Sequence, residues 1–96
     1  MLNRIYQVRG TNQPGGAAIV HALQQDIPMD GSAQMGDAIP GPAHLLASAL
    51  AACVLKNVER FSHTLHFTWS GAEVSVDLER QDSPPRITQA RYVLHL

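Results

Sequence analysis

The stretch HLLASALAACVLKNVERF, residues 44–61, carries the only cysteine of a 96-residue chain. A thiol does chemistry as the thiolate, which is a nucleophile and a metal ligand. Cys53 sits in a nearly unbroken apolar run, Leu45 to Leu55, where a free cysteine ordinarily packs as a small hydrophobe. It also stands where that run turns polar. In a helix, Lys56 lies at i+3 and Asn57 at i+4, neighbours of Cys53 on one surface. An ammonium group there favours thiolate over thiol, while the C-terminal half of the macrodipole weakly opposes it. Both readings of Cys53, core residue and nucleophile, follow from these residues.

The histidines offer less. His63 and His66 make an HxxH, but no ligand set converges on them, and His63 near a helix end is expected to cap carbonyls. His44 lies nine residues before Cys53, on the opposite helix face, and cannot act as its base within one subunit. No GxSxG nucleophile turn occurs. QPGG lacks the lysine and helix start of a phosphate-cradling loop. No cofactor and no metal are expected. Trp69 and Phe67 alternate after the helix and are expected to anchor the core.

The elements that position these residues read as α+β. Leu2, Arg4, Tyr6 and Val8 alternate and predict a first strand over residues 2–8. GTNQPGG, residues 10–16, predicts a turn, and Ala17 to Leu23 a second strand. A short edge strand around Ile27 to Met29 precedes a long Pro/Gly loop, of the kind that is usually functional or mobile. The helix starts with Pro42 at its first position and Gly41 at the cap. It is expected to run to about Phe61, buried all round from Leu45 to Leu55. Its last turns expose Lys56, Glu59 and Arg60 and turn Val58 and Phe61 inward. In GAEVSVDLERQ, Val74, Val76 and Leu78 point in and Glu73, Ser75, Asp77 and Glu79 out. DSPPR turns the chain into RITQARYVLHL, where Ala90, Tyr92, Leu94 and Leu96 share a face. A hairpin of these two strands lets Arg91 face the acids of its neighbour.

Composition bounds the rest. The chain is 45% hydrophobic and 16% charged, a globular balance. A net charge of −1, without a basic stripe, lacks the electrostatic footprint of a nucleic-acid binder. One cysteine excludes an intrachain disulfide and any multi-cysteine zinc site. No apolar run reaches the roughly 18–20 residues of a membrane span. Neither nucleic acid nor membrane is expected as a partner, and a reduced thiol places the chain in the cytoplasm. A chain this small buries only about 60–70% of its unfolded surface, so a partner subunit would complete its core.

A β-meander, a Pro/Gly loop, an Ala/Leu helix bearing LAAC, and a hairpin turning at PPR follow one another from about Tyr6 onward. In that order they resemble the OsmC/Ohr family of osmotically inducible and organic-hydroperoxide-resistance proteins. GPAHLLASALAACVLKNVERF and QDSPPRITQARYVLHL carry the likeness most specifically. The resemblance implies an intertwined α+β homodimer with active sites at the subunit interface. It also implies thiol-dependent reduction of organic hydroperoxides. Cys53 matches the family's peroxidatic cysteine, which becomes a sulfenic acid and condenses with a second cysteine. That second cysteine belongs to a helix downstream of where these residues end. Ala43 stands where the family has a glutamate. GTNQPGG lacks the family's arginine, for which Arg9 is the nearest candidate.

The expectation is a single OsmC-like domain, residues 1–96, without the family's C-terminal helix region. It is either a truncated product of a longer member or a minimal version completed across a dimer interface. Two functions stay open. One is a weak or vestigial thiol peroxidase using Cys53, supported by Lys56 or Arg9 and regenerated by an external thiol. The other is a non-enzymatic dimeric binding domain with Cys53 in its core.

Overall fold

The chain first reverses at Gln13–Gly16, where Pro14 and Gly15 occupy the centre of a turn closed by a Gly16 N–H to Gln13 carbonyl bond of 2.9 Å. Proline presets the first central position, and Gly15, at φ 96°, accepts the second, as a type II turn requires. The computed structural model describes residues 3–34, 36 and 38–96. They fall into two compact units, Met1–Pro42 and Ala43–Leu96.

The first unit is a three-stranded antiparallel meander of β1 (Val8–Asn12), β2 (Ala17–Ala22) and β3 (Gln25–Asp30), in that spatial order. The alternation of residues 2–8 predicts the first strand too early. Residues 3–7 carry no strand, and Leu2 lies outside the described residues. The length of β2 sets this limit: Val8 pairs with Ala22, the last residue before the next turn, so nothing upstream has a partner. Gly10, Thr11 and Asn12 read as turn formers yet join the ladder. The second and third strands lie where the sequence predicts them. Two residues, Leu23 and Gln24, connect them, with Leu23 at φ 54°.

One face of the meander gathers Ala18, Val20, Ala22, Ile27 and Met29, of which Ala18 is buried and the others half-buried. The other face carries Arg9, Ile19, His21 and Asp26. Asn12 ties the first turn to the loop after β3. Its Nδ2 donates to the Gly31 carbonyl (3.2 Å) and its Oδ1 accepts the Gln13 N–H (2.9 Å). Gly16, at φ 99°, passes so close to Ser32 that a Cβ would lie 2.5 Å from its backbone nitrogen. Gly16→Ala is therefore expected to destabilise the protein by about 1–3 kcal/mol, read as a lower urea midpoint.

Asp30 organises the start of the long loop. The Ser32 hydroxyl and the Ser32 N–H (2.9 Å) stabilise its carboxylate and hold its pKa below the ordinary 3.8. Its own N–H donates to the Pro40 carbonyl (2.9 Å). A carboxyl whose native pKa is depressed stabilises the fold above its unfolded value and ceases to do so as pH falls through the native one. Asp30→Asn is thus expected to lower the urea midpoint at neutral pH. The difference from wild type should close as acid carries the solution below pH 3.8.

The second unit holds α1 (Pro42–Leu65) and a ribbon of β4 (Glu73–Asp82) and β5 (Pro85–His95). Pro42 opens the helix, where its missing N–H costs nothing. Alanine and leucine then propagate it. The helix outruns Phe61 by a turn. It ends where His66, at φ 58°, lets the Phe67 N–H reach the Ser62 carbonyl (3.1 Å), a Schellman closure.

Along one stripe of α1, Ala47, Leu50, Ala51 and Val54 are half-buried and Val58 and Ser62 buried; Leu45, off that stripe, is half-buried too. Burial all round is not found, since Leu46, Ala49, Ala52, Cys53 and Leu55 are exposed. Leu46 is 55% and Phe61 47% exposed, so Phe61 does not turn inward as Val58 does. Trp69 and Phe67 are also partly exposed rather than core anchors. The buried hydrophobic residues are Ala18 and Val58 alone among those described.

In the ribbon, Val74, Val76 and Leu78 are half-buried and alternate with exposed Glu73, Ser75, Asp77 and Glu79, as the sequence predicts. They pair with Leu94, Tyr92 and Ala90, and Asp77 pairs with Arg91. A bulge between Glu79 and Arg80 shifts the phase, so that Gln81 is the next half-buried residue. Ser83 and Pro84, joined by a cis peptide, make the turn. Gln81 Nε2 donates to the carbonyls of both (3.2 and 3.1 Å). Among the described residues each ribbon strand has one unpaired edge.

Candidate functional site

Helical spacing puts Cys53 on one face with Leu46 and Ala49 before it and Lys56, Asn57 and Arg60 after it. All six are exposed, and Cys53 is a free, exposed thiol. The covered stripe through Ala51, Val54 and Val58 runs along the other side of α1. The helix therefore presents its cysteine on the side that its own unit leaves open. A thiol reaches a dissolved oxidant or an alkylating reagent only from such a position. Lys56 and Arg60 bring two cations to this face within two turns.

His44 lies in the first turn, on the far side from Cys53 as its spacing requires. With Ala43 and Ala47 it lines a cleft of about 500 Å³ against the ribbon, whose floor includes Asp77, Glu79 and Arg91. Ala43 brings no carboxylate to this cleft. His63 does not cap carbonyls: its Nε2 meets Glu59 Oε1 at 2.7 Å, one turn back. His66 has left the helix in the left-handed conformation. The HxxH is thereby split between an ion pair and a helix terminus. No group of three His, Cys, Asp or Glu side chains that could hold a metal occurs among the described residues.

Arg9 belongs to the first unit. It stands on β1 directly across from His21, and the two line one open groove. His21 Nδ1 in turn donates to Asp26 Oδ1 at 2.6 Å across the next strand pair. Sequence reading passed over this pair, although a histidine and an aspartate five residues apart, flanking a two-residue turn, must face each other on neighbouring strands.

No family model and no curated protein matches this chain. Among solved structures, the OsmC like protein from Mycoplasma pneumoniae superposes with a TM-score of 0.72 at 20% identity. The match covers 83% of this chain and 57% of that one, so this chain spans little more than half its length. The fold is OsmC-like. Among the described residues no helix is long and apolar enough to cross a membrane.

Proposed function

We propose, from the OsmC-like fold as premise, that this chain works as a homodimeric thiol protein in which Cys53 reduces organic hydroperoxides. The observation that carries this reading is the placement of the single thiol on the open face of α1. The Cys53 thiolate attacks the terminal oxygen of the peroxide and the O–O bond breaks. The alkoxide leaves and takes a proton to become the alcohol. Sulfur, oxidised by two electrons, becomes a sulfenic acid. An external thiol then condenses with it and releases water. A second external thiol resolves the mixed disulfide and restores Cys53. Such chemistry suits the reducing conditions of the cytoplasm.

The homodimer reading is supported by the apolar surface that the chain leaves open around the thiol: Leu46 and Phe61. A second copy covering that face would bury the exposed apolar side chains of α1. Lys56, at i+3, is the proposed support of the thiolate within the helix, and Arg9 the proposed support from the meander.

The test is the rate of thiol alkylation as a function of pH, with mass spectrometry after cumene hydroperoxide treatment. Rapid alkylation near neutral pH and a trapped sulfenic acid on Cys53 are expected. Lys56→Gln or Arg9→Gln should slow alkylation if its cation supports the thiolate. A thiol that alkylates only on unfolding would instead make the protein a dimeric binding domain with Cys53 in its core.

A further inference from the structure

The outer face of the meander carries a row of three charged or titratable side chains from three different strands. Arg9 of β1, His21 of β2 and Asp26 of β3 are successive cross-strand partners. Asp26 accepts the Nδ1–H of His21 at 2.6 Å, which fixes the imidazole with Nε2 turned away from that carboxylate. His21 is partly covered, its side chain 27% exposed. The Arg9 guanidinium has no hydrogen-bond or ion-pair partner among the described residues. A rigid sheet thus holds an unpaired guanidinium beside an oriented imidazole.

Arg9 and His21 open into a groove of about 840 Å³ whose apolar part includes Tyr6 and Leu23. That volume lies in the range of small-molecule sites, roughly 300–1,000 Å³. Leu23, whose φ of 54° belongs to the two-residue hairpin turn, is 99% exposed at the groove's rim. Nothing in the meander's own packing uses the Leu23 side chain.

We infer that this groove binds a small monocarboxylate with an apolar body. Arg9 takes the carboxylate through its two-pronged N–H fork, which matches carboxylate geometry. His21 contributes through Nε2, kept in position by Asp26. Tyr6 and Leu23 cover the apolar body. The binding needs neither the thiol nor an oxidant, and in it Arg9 faces the carboxylate rather than the Cys53 thiolate.

The probe is sodium benzoate, with benzyl alcohol as the uncharged control of the same shape, titrated into the full chain and followed by NMR. Addition of benzoate is expected to shift the His21 Cε1–H resonance saturably, whereas benzyl alcohol shifts it little. Arg9→Gln should weaken benzoate at least about tenfold, the scale of one lost charge-assisted pair, and leave benzyl alcohol unchanged. Asp26→Ala, which removes the acceptor that orients the imidazole, should weaken benzoate less than Arg9→Gln does. All three side chains are on the surface, and far-UV circular dichroism checks that the variants keep the meander. Equal affinity for acid and alcohol, or undiminished benzoate binding in Arg9→Gln, would overturn the assignment.

Discussion

Cys53→Ser is expected to lower consumption of an organic hydroperoxide by at least about 10²-fold while leaving secondary structure and oligomeric state intact. The size of the loss follows from chemistry. Serine is isosteric but holds its proton at neutral pH, and oxygen lacks the polarisable electron pair that displaces on an O–O bond. The selectivity of the loss follows from position. Cys53 is exposed on α1, outside the stripe that packs at Val54, Val58 and Ser62, so no cavity opens. The assay is peroxide disappearance with an external dithiol, run beside trapping of the sulfenic acid. Undiminished turnover in the serine variant would sink the peroxidase reading, and the chain would then be a binding domain.

Leu46→Glu should dissociate the proposed homodimer. Leu46 lies two turns before Cys53 on the same open face and is 55% exposed in the single chain. A second copy seated there would bury it. Placing an unpaired carboxylate in such an interface costs several kcal/mol, enough to weaken association at least about 10²-fold. In the isolated chain the same substitution meets only water and should scarcely matter. Sedimentation velocity is expected to find wild type dimeric and Leu46→Glu monomeric at micromolar concentration. Wild type sedimenting as a stable monomer would remove the dimer from the proposal.

The sequence discloses most where local chemistry decides the outcome. Pro42 marks the start of α1 because proline loses nothing at that position. The alternation from Glu73 to Glu79 assigns both faces of β4 because the period of a strand is two. The Asp77–Arg91 pair agrees with the alternation of both strands, but counting from the two-residue turn would set Ala90 opposite Asp77; the bulge supplies the one-residue shift. Legibility fails where a partner decides. Val8 begins β1 only because β2 stops at Ala22, which the residues before Val8 do not encode. The helix continues to Leu65 because His66 accepts a left-handed conformation ordinarily left to glycine, and no glycine signals the stop. Apolar residues around α1 predict burial on every side, yet helical periodicity does not name the covering surface, and Leu46, Cys53 and Phe61 are exposed. The Cys53 face was legible through helical spacing, whereas the Arg9–His21–Asp26 row spans three strands and needed the register to appear.

The bulge between Glu79 and Arg80 makes the two ends of the ribbon unequal as templates. The extra residue is Thr88 of β5, which has no partner on β4, and Gln81 spends its amide on the turn. A bulge obstructs the addition of a further strand along the strand that carries it. The regular part of β5, Gln89 to His95, keeps an open row of backbone groups roughly 20 Å long at about 3.4 Å per residue. A strand that adds to β5 therefore meets a regular ladder at the base of the hairpin and an interrupted one toward its tip. The ribbon carries a built-in limit on how many residues a neighbour can pair along β5.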